Sequence, residues 1–307
     1  MSHKIPFMLS LGCCVLTTAP AWCQVRKLHT RDLTRLSQVQ VADHLKHSDI
    51  IFIPLGAVET NGIMPSDRDY VSPLAYAMAM ADDVDGLYMP GLVWSYPGTT
   101  LIAQATVNMS PTQGLNFLRA VAESLLRQGF RRQVYISSGQ GPAPLTAGTL
   151  VREFYDTEHV PLLYIDMDAY LPKLKLPPTA RDKALYGAHY ITGRIIDLPL
   201  QGEYGEAESQ AAGPVPENTG LAGLTKLGYS GSLSLGSWQP DVMAHGRPPV
   251  LASSAAQREE WGKEGEAQIR GIVKLMKMQE AMDDLKQHDK FTNEILIPKY
   301  GKLVPSR

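Results

Sequence analysis

Apolar residues along the chain follow two patterns, short continuous runs and longer stretches at helical spacing. Short continuous runs are typical of strands that are buried on both faces of a parallel sheet. They predict four strands, at residues 49–55, 86–89, 133–137 and 161–166. Helical spacing predicts helices at residues 39–47, 73–81, 111–128, 145–155 and 258–284. Because strands alternate with helices, we expect an α/β fold with right-handed crossovers and a mainly parallel sheet.

The remaining stretches define the expected domain organisation. Residues 168–250 are rich in Gly, Pro and Ser, and they predict only one helix, at about residues 204–212. The polar residues before the first strand predict a loose arm, and the last twenty residues predict a mobile or interface-forming tail. We therefore expect a signal peptide at 1–23, an arm with a short helix at 24–48, one α/β domain at 49–285 and a tail at 286–307.

Composition excludes several classes of function. The chain has 307 residues, of which 44% are hydrophobic and 20% charged, an ordinary globular balance. Its formal net charge of -2 and pI of about 6.4 do not support a nucleic-acid groove or a polybasic membrane patch. All three cysteines lie in the first 23 residues. A chain cleaved after them has no disulfide, no cysteine nucleophile and no thiolate metal site.

The N-terminus has the pattern of a secretory signal. Lys4 supplies a positive charge, and residues 5–21 are mostly apolar but too interrupted for a membrane span. Small residues precede a favoured cleavage point after Cys23, which predicts export to the periplasm or the medium without stable membrane insertion. A retained anchor and a lipoprotein built on Cys13 are the alternatives.

Carboxylates follow the predicted strands at positions where α/β proteins bind ligands. Glu59 and Asp69 are separated by a turn containing Gly and Pro, so both can face one pocket. Glu203 and Glu208 are five residues apart, about one and a half helical turns. Carboxylates that converge in a cleft favour a cation or a shared proton. Each could instead be a solvated loop charge.

Three segments carry a family resemblance. They read PLGAVETNG at 54–62 with DRD at 67–69, GFRR at 129–132 with SGQG at 138–141, and GEYGEAES at 202–209. In this order, across residues 45–270, they resemble the motifs of the creatininase family of metal amidohydrolases. The resemblance implies a three-layer α/β/α sandwich, often assembled as a homo-oligomer such as a hexamer. It also implies hydrolysis of cyclic or linear amide C–N bonds at a paired metal centre.

The resemblance also assigns site residues, with both of the family's ligand histidines replaced by amides. Glu203 takes the place of the catalytic histidine, and Asp67 is an alternative to Asp69. The implied metal ligands are Glu59, Asn61, Asp69, Gln140 and Glu208. Carboxylate and amide oxygens favour Mg²⁺, Ca²⁺ or Mn²⁺, whereas imidazole favours zinc. We therefore expect a divalent cofactor (Mn, Zn, Mg or Ca) that is bound weakly, or a site that has lost its metal.

Three further side chains are candidate substrate contacts. Trp94 and Trp238 lie in Gly-rich stretches and could stack on a planar substrate, and His189 could enter the pocket. Ordinary packing or a surface position is the alternative for each. The expected function is hydrolysis of an amide, lactam or lactone bond in a small molecule. A non-catalytic periplasmic binding protein of the same fold, or a structural subunit paired with an active paralogue, are the alternatives.

Overall fold

Four parallel strands form the centre of the computed structural model, which describes residues 28–91, 104–107, 109–138, 144–175, 179–205 and 250–301. The strands lie in the order β2-β1-β3-β4. Their bounds are β1 Ile50–Pro54, β2 Leu87–Tyr88, β3 Arg132–Ser137 and β4 Leu163–Asp166. In register, Ile51 pairs with Leu87, Ile53 with Tyr135, and Ile136 with Ile165. All four predicted strands are confirmed, each within two residues of its predicted start and end.

Helices cover both faces of this sheet. The longer ones are α1 Gln38–His44, α2 Arg68–Asp83, α3 Pro111–Gln128, α4 Thr149–Glu158, α6 Thr179–Ile191, α7 Ala255–Leu275 and α8 Met278–Phe291. Two helices of four residues, α5 Met167–Tyr170 and α9 Ile297–Tyr300, follow β4 and α8. Short 3-10 turns span Leu33–Arg35, Leu171–Leu174 and Ile195–Asp197, and wide helical turns span Pro144–Gly148 and Thr292–Leu296.

The core consists of two layers, one on each side of the sheet. Ile50 and Phe52 of β1 pack with α2, α7 and α8, whereas Ile51 and Ile53 pack with α3 and α4. Neighbouring residues of a strand point to opposite faces, so a continuous apolar run fills both layers. The predicted three-layer α/β/α sandwich is confirmed.

Local sequence signals begin and end α3 at the predicted residues, 111 and 128. Ser110 and Gln113 form a capping box, in which each side chain accepts a hydrogen bond from the other residue's backbone N–H. Pro111 occupies the first helical position, and Gly129 ends the helix with φ 110°. Such signals explain why this helix is readable from sequence alone.

Several other predictions need correction. Helix α2 begins at Arg68 rather than at residue 73, so Pro73 lies inside it. The expected helix 258–284 is two helices, because Lys277 has φ 53° and interrupts it. Residues 204 and 205 are not helical, and the rest of the helix expected at 204–212 lies outside the described residues. The expected tail is helical as far as Tyr300.

The polar arm is also ordered where it is described. The backbone N–H of Tyr88 donates to the carbonyl of Arg31, at 2.9 Å, and Asp32 forms a bridge with Tyr88. The arm therefore extends the edge of the sheet at β2. No helix among the described residues is long and apolar enough to cross a membrane.

The strand order determines where a ligand can bind. From β1 the chain passes to β2 on one side, and β3 then pairs with β1 on the other side. In open α/β sheets the crevice at such a reversal, outside the carboxyl ends of the strands, is the usual binding position. Here the crevice lies between the loop after β1 and the loop after β3. The loop after β3 is described only to Ser138.

Candidate active site

The loop after β1 is held against the start of α2 by a close backbone approach. A β-carbon added at Gly56 would lie 2.4 Å from the Cα atom of Tyr70, which is too close for any side chain. Leu55 continues the pairing with β3, since its N–H donates to the carbonyl of Ile136 at 2.7 Å. The glycine thus lets α2 cross the loop at Tyr70, the residue after Asp69.

Three of the predicted ligands lie close together, Glu59 and Asn61 in this loop and Asp69 in the first turn of α2. Glu59, Asn61 and Asp69 are 2%, 4% and 8% exposed. The Nδ2 atom of Asn61 donates to the Oδ2 atom of Asp69 and to the backbone carbonyl of Glu59, both at 3.4 Å. Since Nδ2 faces these acceptors, Oδ1 is the amide atom left for a ligand. The arrangement provides two buried carboxylates and one amide oxygen, a donor set that fits a hard divalent cation.

The structure separates the two aspartates that the sequence left as alternatives. Asp67 forms an ion pair with Arg194, the residue after Gly193 at the end of α6, and its side chain is 29% exposed. Asp69 is more deeply buried and contacts Asn61 instead. Asp69 is therefore the better placed of the two for a ligand role.

Neighbouring segments close the loop from two sides. The Oγ1 atom of Thr106 accepts from the N–H of Thr60 at 3.1 Å, and the N–H of Val107 donates to the carbonyl of Val58 at 2.9 Å. On the other side, the Ser72 hydroxyl in α2 lies 3.4 Å from that of Ser138, the first residue after β3. Thr106 and Arg194 belong to no recognisable motif, so neither contact is predictable from the sequence.

Burial shifts the pKa of two side chains near the loop. Burial raises the pKa of the Tyr70 hydroxyl to about 12, and that hydroxyl accepts from the N–H of Gly91 at 2.5 Å. Burial also lowers the pKa of His189, although its bond to the Leu185 carbonyl and the nearby charge of Asp67 oppose this shift. The Nε2 atom of His189 has no hydrogen-bond partner among the described residues.

The other predicted site residues have different outcomes. Glu203 is exposed and lies in a turn, where its N–H donates to the carbonyl of Leu200 at 3.2 Å. Its role as base stays a prediction, as does a substrate contact by His189, which is buried in α6. The remaining four, Gln140, Glu208, Trp94 and Trp238, lie outside the described residues.

The comparisons with known proteins concern the family and the fold of the chain. The creatininase family model, described as creatinine amidohydrolase, matches residues 34–185, which include β1 to β4 and the loop after β1. The chain belongs to the creatininase family. The match covers Glu59, Asn61, Asp69 and Gln140 but ends before Glu203 and Glu208. The comparison with curated proteins gives no match.

Solved creatininase structures share the fold at low sequence identity. A creatinine amidohydrolase (creatininase) is 13% identical with a TM-score of 0.52, covering 82% of this chain and 98% of that one. A creatininase mutant described as the Zn-Zn type is 15% identical with a TM-score of 0.52, covering 82% and 99%. A Bacteroides fragilis protein, described as a candidate creatinine amidohydrolase, is 14% identical with a TM-score of 0.51, covering 85% and 96%.

Proposed function

We propose that the chain is a metal-dependent hydrolase that cleaves an amide, lactam or lactone bond of a small molecule at the loop after β1. The observation that carries the proposal is the burial of Glu59 and Asp69 around the amide of Asn61. Membership of the creatininase family and the zinc pair named for one solved relative support it. Gln140 and Glu208 complete the proposed ligand set.

The donor set leads us to propose an oxygen-preferring cation. The side chains of Glu59, Asn61 and Asp69 each have an oxygen atom that can bind a cation, and Glu59 and Asp69 are acidic. Mn²⁺, Mg²⁺ and Ca²⁺ prefer such ligands, whereas zinc sites usually contain imidazole or thiolate. A site with amides at both predicted histidine positions should also bind its cation weakly. Even the loss of a residue that contacts only the ligands typically lowers metal affinity about 10–100-fold.

The proposed reaction is addition of water to a carbonyl carbon. A divalent cation in the loop would supply Lewis-acid polarisation of that carbonyl. Asn61 holds the Asp69 carboxylate in place, and Glu203 takes a proton from the attacking water. The water oxygen bonds to the carbonyl carbon, the C–N or C–O bond breaks, and the proton passes to the leaving nitrogen or oxygen.

A substrate screen with matched variants tests this proposal. The protein is assayed against small cyclic and linear amides, lactams and lactones, with each of Mn²⁺, Zn²⁺, Mg²⁺ and Ca²⁺ added in turn. Glu59→Gln and Asp69→Asn should each lower kcat/KM by at least about 100-fold, because losing a metal ligand costs more activity than losing a residue that only contacts the ligands. Glu203→Gln should lower kcat without changing the amount of bound metal.

Asp67→Asn is the matched control in the same loop, because Asp67 pairs with Arg194 rather than with Asn61. It should leave kcat/KM close to that of the parent protein. Full activity in Glu59→Gln, or an equal loss of activity in Glu59→Gln, Asp69→Asn and Asp67→Asn, would contradict the proposed site.

A non-catalytic small-molecule-binding protein is the second candidate. It is favoured by Asn61, an amide at a position where the family resemblance places a ligand histidine. Such a protein would bind an amide or lactone without turnover, and chelator would not change its affinity. Calorimetry with the same compounds, with and without chelator, separates the two functions.

Export and self-association belong to the proposal as well. We propose that residues 1–23 are removed during export to the periplasm or the medium, and that the mature chain forms a homo-oligomer, such as the hexamer that the family resemblance implies. N-terminal sequencing of the exported protein and its sedimentation behaviour test these two points separately.

A further inference from the structure

A second group of side chains that can bind a metal lies at the amino ends of the strands. The candidate active site lies at the opposite, carboxyl ends. His44 is the last residue of α1, His47 follows it in the turn before β1, and Asp85 lies in the turn between α2 and β2. One ring nitrogen of each histidine and one oxygen of Asp85 lie within 4.8 Å of one another. We propose that these three residues bind a zinc-class divalent cation.

The two histidines are brought together by the end of α1. They are three residues apart, so they lie on the same side of the turn, and the N–H of His47 donates to the carbonyl of His44 at 3.0 Å. Their rings meet edge to face, with centroids 4.9 Å apart and an angle of 73° between the planes. Two imidazoles and one carboxylate form a donor set that suits zinc.

The state of His44 supports a ligand role. Its side chain is 2% exposed, and its Nε2 atom has no hydrogen-bond partner in the described parts of the chain. A buried polar atom without a partner is costly, and a bound cation is one way to compensate it.

The backbone at Asp85 gives an independent argument. Asp85 has φ 52°, and the N–H of Gly86 donates to the carbonyl of Ala81 at 3.0 Å, as in a Schellman end of a helix. That left-handed position normally favours glycine, and glycine is only one residue further along. An aspartate there directs a carboxylate toward His47, whose Nε2 atom lies 3.5 Å from its Oδ2 atom.

The guanidinium of Arg31 also contacts the Asp85 carboxylate. Arg31 lies 2.8 Å from the Oδ1 atom of Asp85 and 3.3 Å from Asp82, which in turn pairs with Arg270 at 3.2 Å. Arg31 therefore occupies one oxygen of Asp85 and leaves Oδ2 for the cation. Ligand atoms of a tetrahedral zinc are about 3.4 Å apart when each bond is about 2.1 Å. His47 and Asp85 are exposed, so both side chains can rotate to close the remaining gap.

The test is a zinc titration of the full chain, prepared without a histidine tag and stripped with chelator. Glu59→Gln is the background variant, because it removes a ligand from the candidate active site and leaves the three residues proposed here. In that background we expect one equivalent of zinc by calorimetry, and Co²⁺ substitution should give a visible absorption band. His47→Ala and Asp85→Gly should each weaken zinc binding at least about tenfold.

Two matched controls make the outcome decisive. Asp83→Asn removes an exposed carboxylate two residues from Asp85, and His288→Ala removes an exposed histidine elsewhere; both should bind zinc like the parent. Asp85→Gly should also raise the melting temperature of metal-free protein, because glycine relieves the left-handed backbone. If zinc binding were unchanged in both His47→Ala and Asp85→Gly, the proposal would be overturned, whether or not the proposed hydrolysis is found.

Discussion

At the scale of single residues, the amide of Asn61 determines what the loop after β1 offers a ligand. Its Nδ2 atom contacts Asp69 and the backbone of Glu59, which leaves its Oδ1 atom for a ligand. The sequence could predict that Glu59 and Asp69 lie together because the two positions are close along the chain, and the family resemblance added Asn61. It could not choose between Asp67 and Asp69, because that choice depends on Arg194, 127 residues away.

His189 should make stability depend on pH. Burial lowers the pKa of its ring in the folded protein, so below about pH 6.5 the unfolded chain binds more protons than the folded one. The free energy of unfolding should therefore fall as the pH falls from about 6.5. His189→Gln should reduce this slope by up to about 1.4 kcal/mol per pH unit, measured by urea unfolding between pH 7 and 5.

Some slope should remain in His189→Gln, because the pKa of His44 is lowered as well, to about 4. His288→Gln is the control, since His288 is exposed and stacks on Tyr155. It should keep the slope of the parent protein. Equal slopes in His189→Gln and the parent would show that burial of His189 does not govern the acid sensitivity.

At the scale of elements, the contact between α6 and α7 is the main feature that the sequence did not predict. A β-carbon at Gly187 would lie 2.1 Å from the carbonyl carbon of Gly265, so the two helices touch through their backbones. Glycines lower helix propensity, and Gly187 lies in a stretch rich in Gly, Pro and Ser, so α6 has little local signal. Its stability comes from this packing, which only the folded structure reveals.

Gly265→Ala should destabilise the protein strongly. Its β-carbon would lie 1.9 Å from the carbonyl oxygen of Lys183 and 2.5 Å from the backbone nitrogen of Gly187, so the helices would have to separate. Overpacking of this kind typically costs about 1–3 kcal/mol or more. The free energy of unfolding in urea is the measurement.

Gly271→Ala makes the same change six residues later in the same helix. A β-carbon there meets no atom within 4 Å. This variant should gain about 0.5–1 kcal/mol from the better helix propensity of alanine. If the two variants lost equal stability, the close approach of α6 and α7 would not be the cause.

At the scale of the whole molecule, the sheet could be predicted and parts of the helical layers could not. Continuous apolar runs predict β1 to β4 because those strands are buried on both faces. The break between α7 and α8 has no Gly or Pro to signal it, since the left-handed residue there is Lys277. The Arg131–Asp289 pair, with contacts of 2.7 and 2.8 Å, joins the end of α8 to the start of β3 across 158 residues.

The fold places the two proposed metal sites at opposite ends of the parallel strands. The loop after β1 presents oxygen donors at the carboxyl ends, and His44, His47 and Asp85 lie at the amino ends. We therefore expect zinc to bind mainly at the histidine site and harder cations to bind mainly at the loop after β1. Metal content has to be measured with each site altered in turn.

The central claim is that the buried carboxylates of the loop after β1 hold a cation. Elemental analysis of the protein, purified without chelator or histidine tag and dialysed to equilibrium against Mn²⁺, Mg²⁺, Ca²⁺ or Zn²⁺ in turn, tests this most directly. In an Asp85→Gly background, which weakens the second site, we predict at least one equivalent of Mn, Mg, Ca or Zn per chain, lost on adding Glu59→Gln. Metal-free protein in this background, or equal metal content with and without Glu59→Gln, would contradict the account and favour the small-molecule-binding function.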